Sequence, residues 1–320
     1  MDAAGNLYGT TVIGGAGVDC GGPSCGVVFK LAPDGTQTVL YSFCPQSGCA
    51  DGAGPRAGLL MDAAGNLYGT TFSGGAQGSG VVFKLAPDGT ETVLYSFCSQ
   101  ANCTDGLGPQ AGLLMDAAGN LYGTTAAGGG TGFGVVFKLA PDGTETVLYS
   151  FCSQANCTDG LQPFAGLIMD AAGNLYGTTK VGGTGGTGGA FGQGVVFKLA
   201  PDGTQTVLYS FCSQANCTDG STPLAGLIMD AAGNLYGTTV TGGGTPNPDL
   251  PPPSQGVVFA LAPDGTETVL YSFCSQLPNC TDGATPGAGL IMDAAGNLYG
   301  TTALGGIAPG NSGVVFALTP

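Results

Sequence analysis

Met1-Asp2-Ala3-Ala4-Gly5-Asn6-Leu7-Tyr8-Gly9-Thr10-Thr11 opens the chain, and the same phrase returns at Met61, Met115, Met169, Met229 and Met292. Successive copies start 60, 54, 54, 60 and 63 residues apart. Self-similarity at such a period marks a repeat array, in which each unit buries its apolar face only against its neighbours. The phrase reads as a strand end, a tight turn and a second strand. Asp2 offers a carboxylate to the backbone of the turn, and Gly5 can take the positive φ that the turn requires.

Working outward in the second copy, Ala57–Asp62 is a short, nearly continuous apolar stretch and predicts a strand buried on both faces. Asn66–Thr71 is the second strand and Gly80–Leu85, β-branched and aromatic, the third. Pro87-Asp88-Gly89 makes a turn into a fourth strand, Thr92–Phe97, whose alternation predicts Val93, Tyr95 and Phe97 on one face. No stretch carries a helical period with caps. Four antiparallel strands in this length make one propeller blade. The expected fold is therefore all-β, a β-propeller of six four-stranded blade repeats in a single array over residues 1–320. The units run roughly 1–56, 57–110, 111–164, 165–224, 225–287 and 288–320. The first and last blades read as incomplete: only Met1-Asp2 of the first inner strand is present, and Pro320 falls where the last Pro-Asp-Gly turn begins. Either the natural chain is longer or neighbouring molecules complete these blades.

The loop between second and third strands takes up nearly all the variation, with 14, 8, 8, 14, 16 and 10 residues in the six units. Insertions gathered at one loop per repeat map to one face, often a binding face. The longest, Val240–Gln255, is stiffened by Pro246, Pro248, Pro251, Pro252 and Pro253.

Glycine is 62 of 320 residues, well above its usual share of about 7%, yet without a collagen-like period. Charged residues are only 8%, and the net charge is −15. With six basic residues, no patch can neutralise a run of phosphates, which argues against nucleic acid and against anionic membrane surfaces as partners. No apolar run reaches transmembrane length.

The twelve cysteines fall in close pairs. Five recur at one place in the repeat, Cys44/Cys49, Cys98/Cys103, Cys152/Cys157, Cys212/Cys217 and Cys274/Cys280; the sixth, Cys20/Cys25, lies in a variable loop. Two cysteines per site in a chain without histidine fall short of a zinc site's usual four ligands, so disulfides are the better reading. They imply an oxidising, extracellular or cell-surface setting.

The string Ala57-Gly58-Leu59-Leu60-Met61-Asp62-Ala63-Ala64-Gly65-Asn66-Leu67-Tyr68-Gly69-Thr70-Thr71, followed by Gly-Gly and Gly80-Val81-Val82-Phe83-Lys84-Leu85, resembles the NxYGxT-type (choice-of-anchor) bacterial tandem repeats. More distantly it is similar to NHL-type propeller blades, with their Asp-x-x-Gly-Asn and Pro-Asp-Gly turns. The resemblance spans the whole chain and implies a propeller-like fold in a bacterial surface or secreted protein. It brings no catalytic residue. By the same likeness the Ala-Gly-Leu-Leu-Met strand is innermost and the Thr-Val-Leu-Tyr-Ser-Phe strand lies at the rim.

Candidate chemistry is sparse. Without histidine, Ser-His-Asp and Cys-His arrangements cannot form. The three glutamates, Glu91, Glu145 and Glu267, share one strand position with Gln37 and Gln205, the pattern of a solvated rim residue. Asp2, Asp62, Asp116, Asp170, Asp230 and Asp293 recur in every turn as Asx-type acceptors. Asp19 and Asp249 are the acids confined to single variable loops, and Gly14–Asp19 matches the start of a calcium nonapeptide once, without the stacking that completes such a site. Tyrosines beside amides could stack on sugars, but alternating Leu and Tyr also fill the space between blades. Asn102, Asn156, Asn216 and Asn279 meet the glycosylation sequon around a cysteine, a coincidence of the cysteine loop. No catalytic, cofactor-binding or metal residue is assigned. The expectation is a non-catalytic, extracellular structural or adhesive module that self-associates into an oligomer or fibre through its terminal strands. The alternative is a glycan-binding, lectin-like propeller using the variable loops.

Overall fold

A computed structural model describes residues 1–17, 25–45, 47–185, 192–244, 255–276, 280–307 and 312–319. The chain forms two compact units, Met1–Ser150 and Phe151–Pro320.

In the first unit, β1 (Leu7–Thr11), β2 (Val27–Leu31) and β3 (Gln37–Ser42) make a three-stranded sheet. Two four-stranded sheets follow. The first is β4 (Leu60–Met61), β5 (Leu67–Thr71), β6 (Val81–Leu85) and β7 (Glu91–Ser96); the second is β8 (Leu114–Met115), β9 (Leu121–Thr125), β10 (Val135–Leu139) and β11 (Glu145–Ser150).

The second unit has two four-stranded sheets. One is β12 (Ile168–Met169), β13 (Leu175–Thr179), β14 (Val195–Leu199) and β15 (Gln205–Ser210); the other is β16 (Ile228–Met229), β17 (Leu235–Thr239), β18 (Val257–Leu261) and β19 (Glu267–Ser272). Its third sheet is β20 (Ile291–Met292), β21 (Leu298–Thr301) and β22 (Val315–Leu318).

Every pairing between these strands is antiparallel and joins chain neighbours, so each sheet is a meander. Six such blades place the fold in the β-propeller class, as the repeat predicts. Among the described residues the helical segments are single 3-10 turns, at Ala101–Cys103, Ala155–Cys157 and Ala215–Cys217.

Blades pack through aromatic pairs. Phe43 meets Phe83, and Phe97 meets Phe137, edge to face with ring centroids 5.0 Å apart. In the second unit Phe211 and Phe259, and Phe273 and Phe316, repeat the contact at 5.0 Å. Offset and T-shaped rings are the favoured geometry, and each such pair adds about 0.5–1.5 kcal/mol beyond area burial. The Phe83 ring closes on Gly69 in the neighbouring strand: a Cβ there meets Phe83 Cζ at 2.7 Å. The Gly of every Tyr-Gly-Thr thus faces the third-strand phenylalanine, a core residue in the four inner blades.

Two details depart from the sequence reading. The inner strand pairs at only two positions, Leu60↔Tyr68 and Met61↔Leu67, and both residues are half-buried rather than enclosed. Its apolar residues still serve both faces, as the sequence predicts: Leu59 and Met61 pack toward the preceding blade and Leu60 toward the following one. In the outer strand, alternation breaks. Val82 pairs with Tyr95 but Phe83 with Val93, leaving Leu94 as the extra residue of a β-bulge. Val93 therefore packs with Phe83 toward the preceding blade, while Leu94, Tyr95 and Phe97 face the following one.

Some positions buried or half-buried in inner blades are open in the outer ones. In the first unit Leu7 is 51% and Val39 53% exposed, whereas Leu67 is 4% exposed at the place of Leu7. In the second unit Val315 is 81% and Ile291 69% exposed, whereas Val258, at the place of Val315, is fully buried.

Candidate functional site

Two polar networks recur at fixed places. The first sits on the hairpin of the opening phrase. Asp116 Oδ1 accepts the backbone N–H groups of Ala118 and Asn120, each at 2.9 Å. Its Oδ2 accepts Asn120 Nδ2 at 2.7 Å and the Tyr122 hydroxyl at 3.0 Å. The same tyrosine-to-aspartate bond forms in all six copies, at Asp2, Asp62, Asp116, Asp170, Asp230 and Asp293. Burial works against the charge on Asp116, but the bonds from Asn120, Tyr122 and Ala118 outweigh it and hold the carboxyl below its ordinary range. At Asp2 and Asp293 hydrogen bonds from the following asparagine, helped by the tyrosine, lower it to about 2. Burial and the neighbouring carboxylate push Tyr122 up to about 12. These aspartates are structural acceptors, and their tyrosines are spent on them.

The second network lies in the cysteine loop and was not foreseen from the sequence. Asp105 is fully buried; its Oδ2 accepts the Tyr95 hydroxyl at 2.8 Å, Ser99 N at 2.8 Å and Ser99 Oγ at 2.9 Å. Tyr41 with Asp51, Tyr209 with Asp219 and Tyr271 with Asp282 repeat the bond. The signal that could have found it is the Asp-Gly following the second cysteine of each loop. Gly106 has φ +93°, and a Cβ there meets Thr125 Oγ1 at 2.5 Å, so the loop must cross the strand at a glycine.

The loop is closed by disulfides. Cys44–Cys49, Cys98–Cys103, Cys152–Cys157, Cys212–Cys217 and Cys274–Cys280 are bonded, and all ten cysteines take a positive φ. Cys20 lies outside the described residues; Cys25 is buried, with its sulfur within 4.8 Å of those of Cys44 and Cys49. A Cys44–Cys49 disulfide offers no thiolate, so this trio is not a metal centre. Asp19 and Asp249, with most of the long loop around Asp249, also lie outside the described residues.

The glutamates are not the solvated rim residues that their exchange with glutamine across the repeats suggests. Each is half-buried under the cysteine loop that precedes its blade, with an orphaned oxygen: Glu91 Oε1, both oxygens of Glu145, and Glu267 Oε1. Burial, then the nearby charge of Asp51, Asp105 or Asp219, raises all three to about 7. A non-local neighbour overrides the local pattern.

A cation–π contact stands at one pair of repeat positions in both units. On the variable-loop side of the first unit, Arg56 stacks its guanidinium 3.8 Å from the centroid of Phe72, itself 36% exposed. Its Nη1 donates to Gln110 Oε1 at 2.9 Å. In the second unit Lys180 Nζ lies 5.4 Å from the centroid of Phe164, with cation and ring exchanged.

Six blades, all carrying the hairpin network and four of them also the bond from an outer-strand tyrosine to a cysteine-loop aspartate, define a tandem-repeat β-propeller. The chain belongs to the Gloeobacter/Verrucomicrobia repeat family, whose model matches residues 1–191 and 183–320. Among solved structures, a luciferin-regenerating enzyme is similar at 12% identity, with 99% of this chain and 96% of that one covered and a TM-score of 0.50. A putative gluconolactonase is 17% identical over 98% of this chain and 92% of that one, with a TM-score of 0.48. A protein of unknown function from Dyadobacter fermentans is 12% identical over 92% and 82%, with a TM-score of 0.45. At such identities a likeness speaks for fold alone. No curated protein matches the chain.

Proposed function

We propose that the protein is a non-catalytic, extracellular structural or adhesive module that associates with further copies of itself. The observation that carries the reading is the sameness of the blades. In each of the six, the hairpin aspartate is bonded to the same tyrosine. Active sites need one asymmetric constellation; here the recurring acids and phenols are consumed by one another. Five disulfides support an oxidising, extracellular setting, as does the likeness to bacterial surface repeats.

The partner is a second copy of this chain. Leu7 and Val39 in one unit, and Ile291 and Val315 in the other, are exposed at positions that the inner blades bury (those of Leu7 and Val315) or half-bury (those of Val39 and Ile291) against a neighbouring blade. The internal blade contacts thus supply the mould for an intermolecular one, and a head-to-tail contact of this kind extends into fibres when the rotation does not close. Sedimentation velocity and electron microscopy test this: mass should grow with concentration, and Val315→Asp or Val39→Asp should return it to monomer. Monodisperse monomer at high concentration would sink the proposal.

A second reading rests on the Arg56–Phe72–Gln110 cluster. An exposed ring flanked by a guanidinium and an amide suits stacking and hydrogen bonding to a sugar. A glycan array should then give saturable binding that Phe72→Ala removes; an array without signal discards it.

A further inference from the structure

The start of each outer strand carries a glutamate in three blades, Glu91, Glu145 and Glu267, and a glutamine in a fourth, Gln205. The fourth shows what the position does. Gln205 Nε2 donates at 3.2 Å to the main-chain carbonyl of Asp159, in the cysteine loop ahead of its blade. The glutamates are half-buried at the same place, beneath the equivalent loops with Asp51, Asp105 and Asp219; oxygens of all three are buried and without a partner, as is Gln205 Oε1, but an ionised glutamate lacks the donor that Gln205 aims at the loop carbonyl. An ionised carboxylate has no proton to give a carbonyl, and burying it beside a second carboxylate is costly. A protonated one has the shape and the donor of glutamine.

We propose that Glu91, Glu145 and Glu267 stand in the folded protein as neutral carboxylic acids that donate to the main-chain carbonyls of Asp51, Asp105 and Asp219. They form three proton-dependent latches, of which Gln205–Asp159 is the permanent counterpart. The titratable groups facing them are few. Glu91 sees Asp51 and Tyr41, Glu145 sees Asp105 and Tyr95, and Glu267 sees Asp219 and Tyr209. Tyr209 also offers Glu267 a hydrogen bond that works in the opposite direction. No lysine or arginine is among these influences. Their raised values, about 7, agree with the geometry.

The sign follows from the raised folded value. Below about 4.5 the glutamates are protonated in both folded and unfolded chains, and the latch contributes fully. Between about 4.5 and about 7 only the unfolded chain ionises, so stability falls with rising pH; above that window the loss is complete.

The chain has only these three glutamates, so selective carbon-13 labelling of glutamate carboxyls gives a clean titration of the intact protein. Midpoints near 7 are expected; midpoints at the ordinary value of about 4.3 overturn the proposal. Thermal unfolding gives the second readout. The wild-type melting temperature should fall as pH rises through the window, and a Glu91→Gln/Glu145→Gln/Glu267→Gln variant should lose that fall. Equal pH profiles for the two proteins, or a variant that fails to fold, count against latches that glutamine can replace.

Discussion

Asp116 illustrates how one side chain closes a turn. Its two oxygens take four hydrogen bonds from Ala118, Asn120 and Tyr122, so Asp116→Ala leaves two main-chain donors, an amide and a phenol to water or to nothing. A loss of about 1.5–3 kcal/mol is expected in denaturant unfolding, with Asp116→Asn losing less because an amide oxygen still accepts. Gly123 makes the complementary case. A Cβ at this position meets Phe137 Cζ at 2.6 Å, and the ring is fully buried. Gly123→Ala should cost about 1–3 kcal/mol through overpacking, measurable by the same unfolding curve. The turn aspartates were legible because Asp, Gly and Asn stand at fixed offsets within six residues. The glutamates were not. Their environment is set by the preceding cysteine loop, and strand alternation carries no record of it.

At the scale of elements, the order of strands and the division into blades could be read from periodicity and turn residues alone. What escaped was the bulge. Leu94 inserts one residue opposite the Val82–Phe83 step, and this turns Tyr95 and Phe97 away from the face that Val93 occupies. Nothing in Thr92–Phe97 distinguishes a bulged strand from a regular one. The cysteine loops lend themselves to a separate prediction. A bridge closing so short a loop contributes only about 2 kcal/mol in the chain-entropy account. Reduction should therefore lower the melting temperature without unfolding the blades at room temperature. Far-ultraviolet circular dichroism before and after reductant checks this; complete loss of the β signal would assign the disulfides a larger role.

For the whole molecule, charge sets two opposing responses to pH. The hairpin aspartates are lowered in the folded state, so their contribution is present above the ordinary aspartate value and lost as pH falls through the lowered one. The glutamates act in the other sense, losing theirs as pH rises toward about 7. Stability should therefore peak in mild acid, near pH 4–5, and a melting-temperature profile that climbs steadily to neutrality contradicts this. A net charge of −15 with a pI of about 4.1 adds repulsion between copies at neutral pH. Self-association should rise as pH approaches the pI and with added salt at neutral pH, read by light scattering.

Thr10, Thr70, Thr178 and Thr238 each donate a hydroxyl to the carbonyl of an alanine at the start of the next unit: Ala57, Ala111, Ala225 and Ala288. These four seams between repeats are thus written in the same chemistry. A gene that gains or loses one whole unit by recombination between these near-identical segments joins a threonine to an alanine it already fits, with no new contact to invent. Copy number can drift in such a lineage while each blade stays as it was, and natural length variants should differ by whole units.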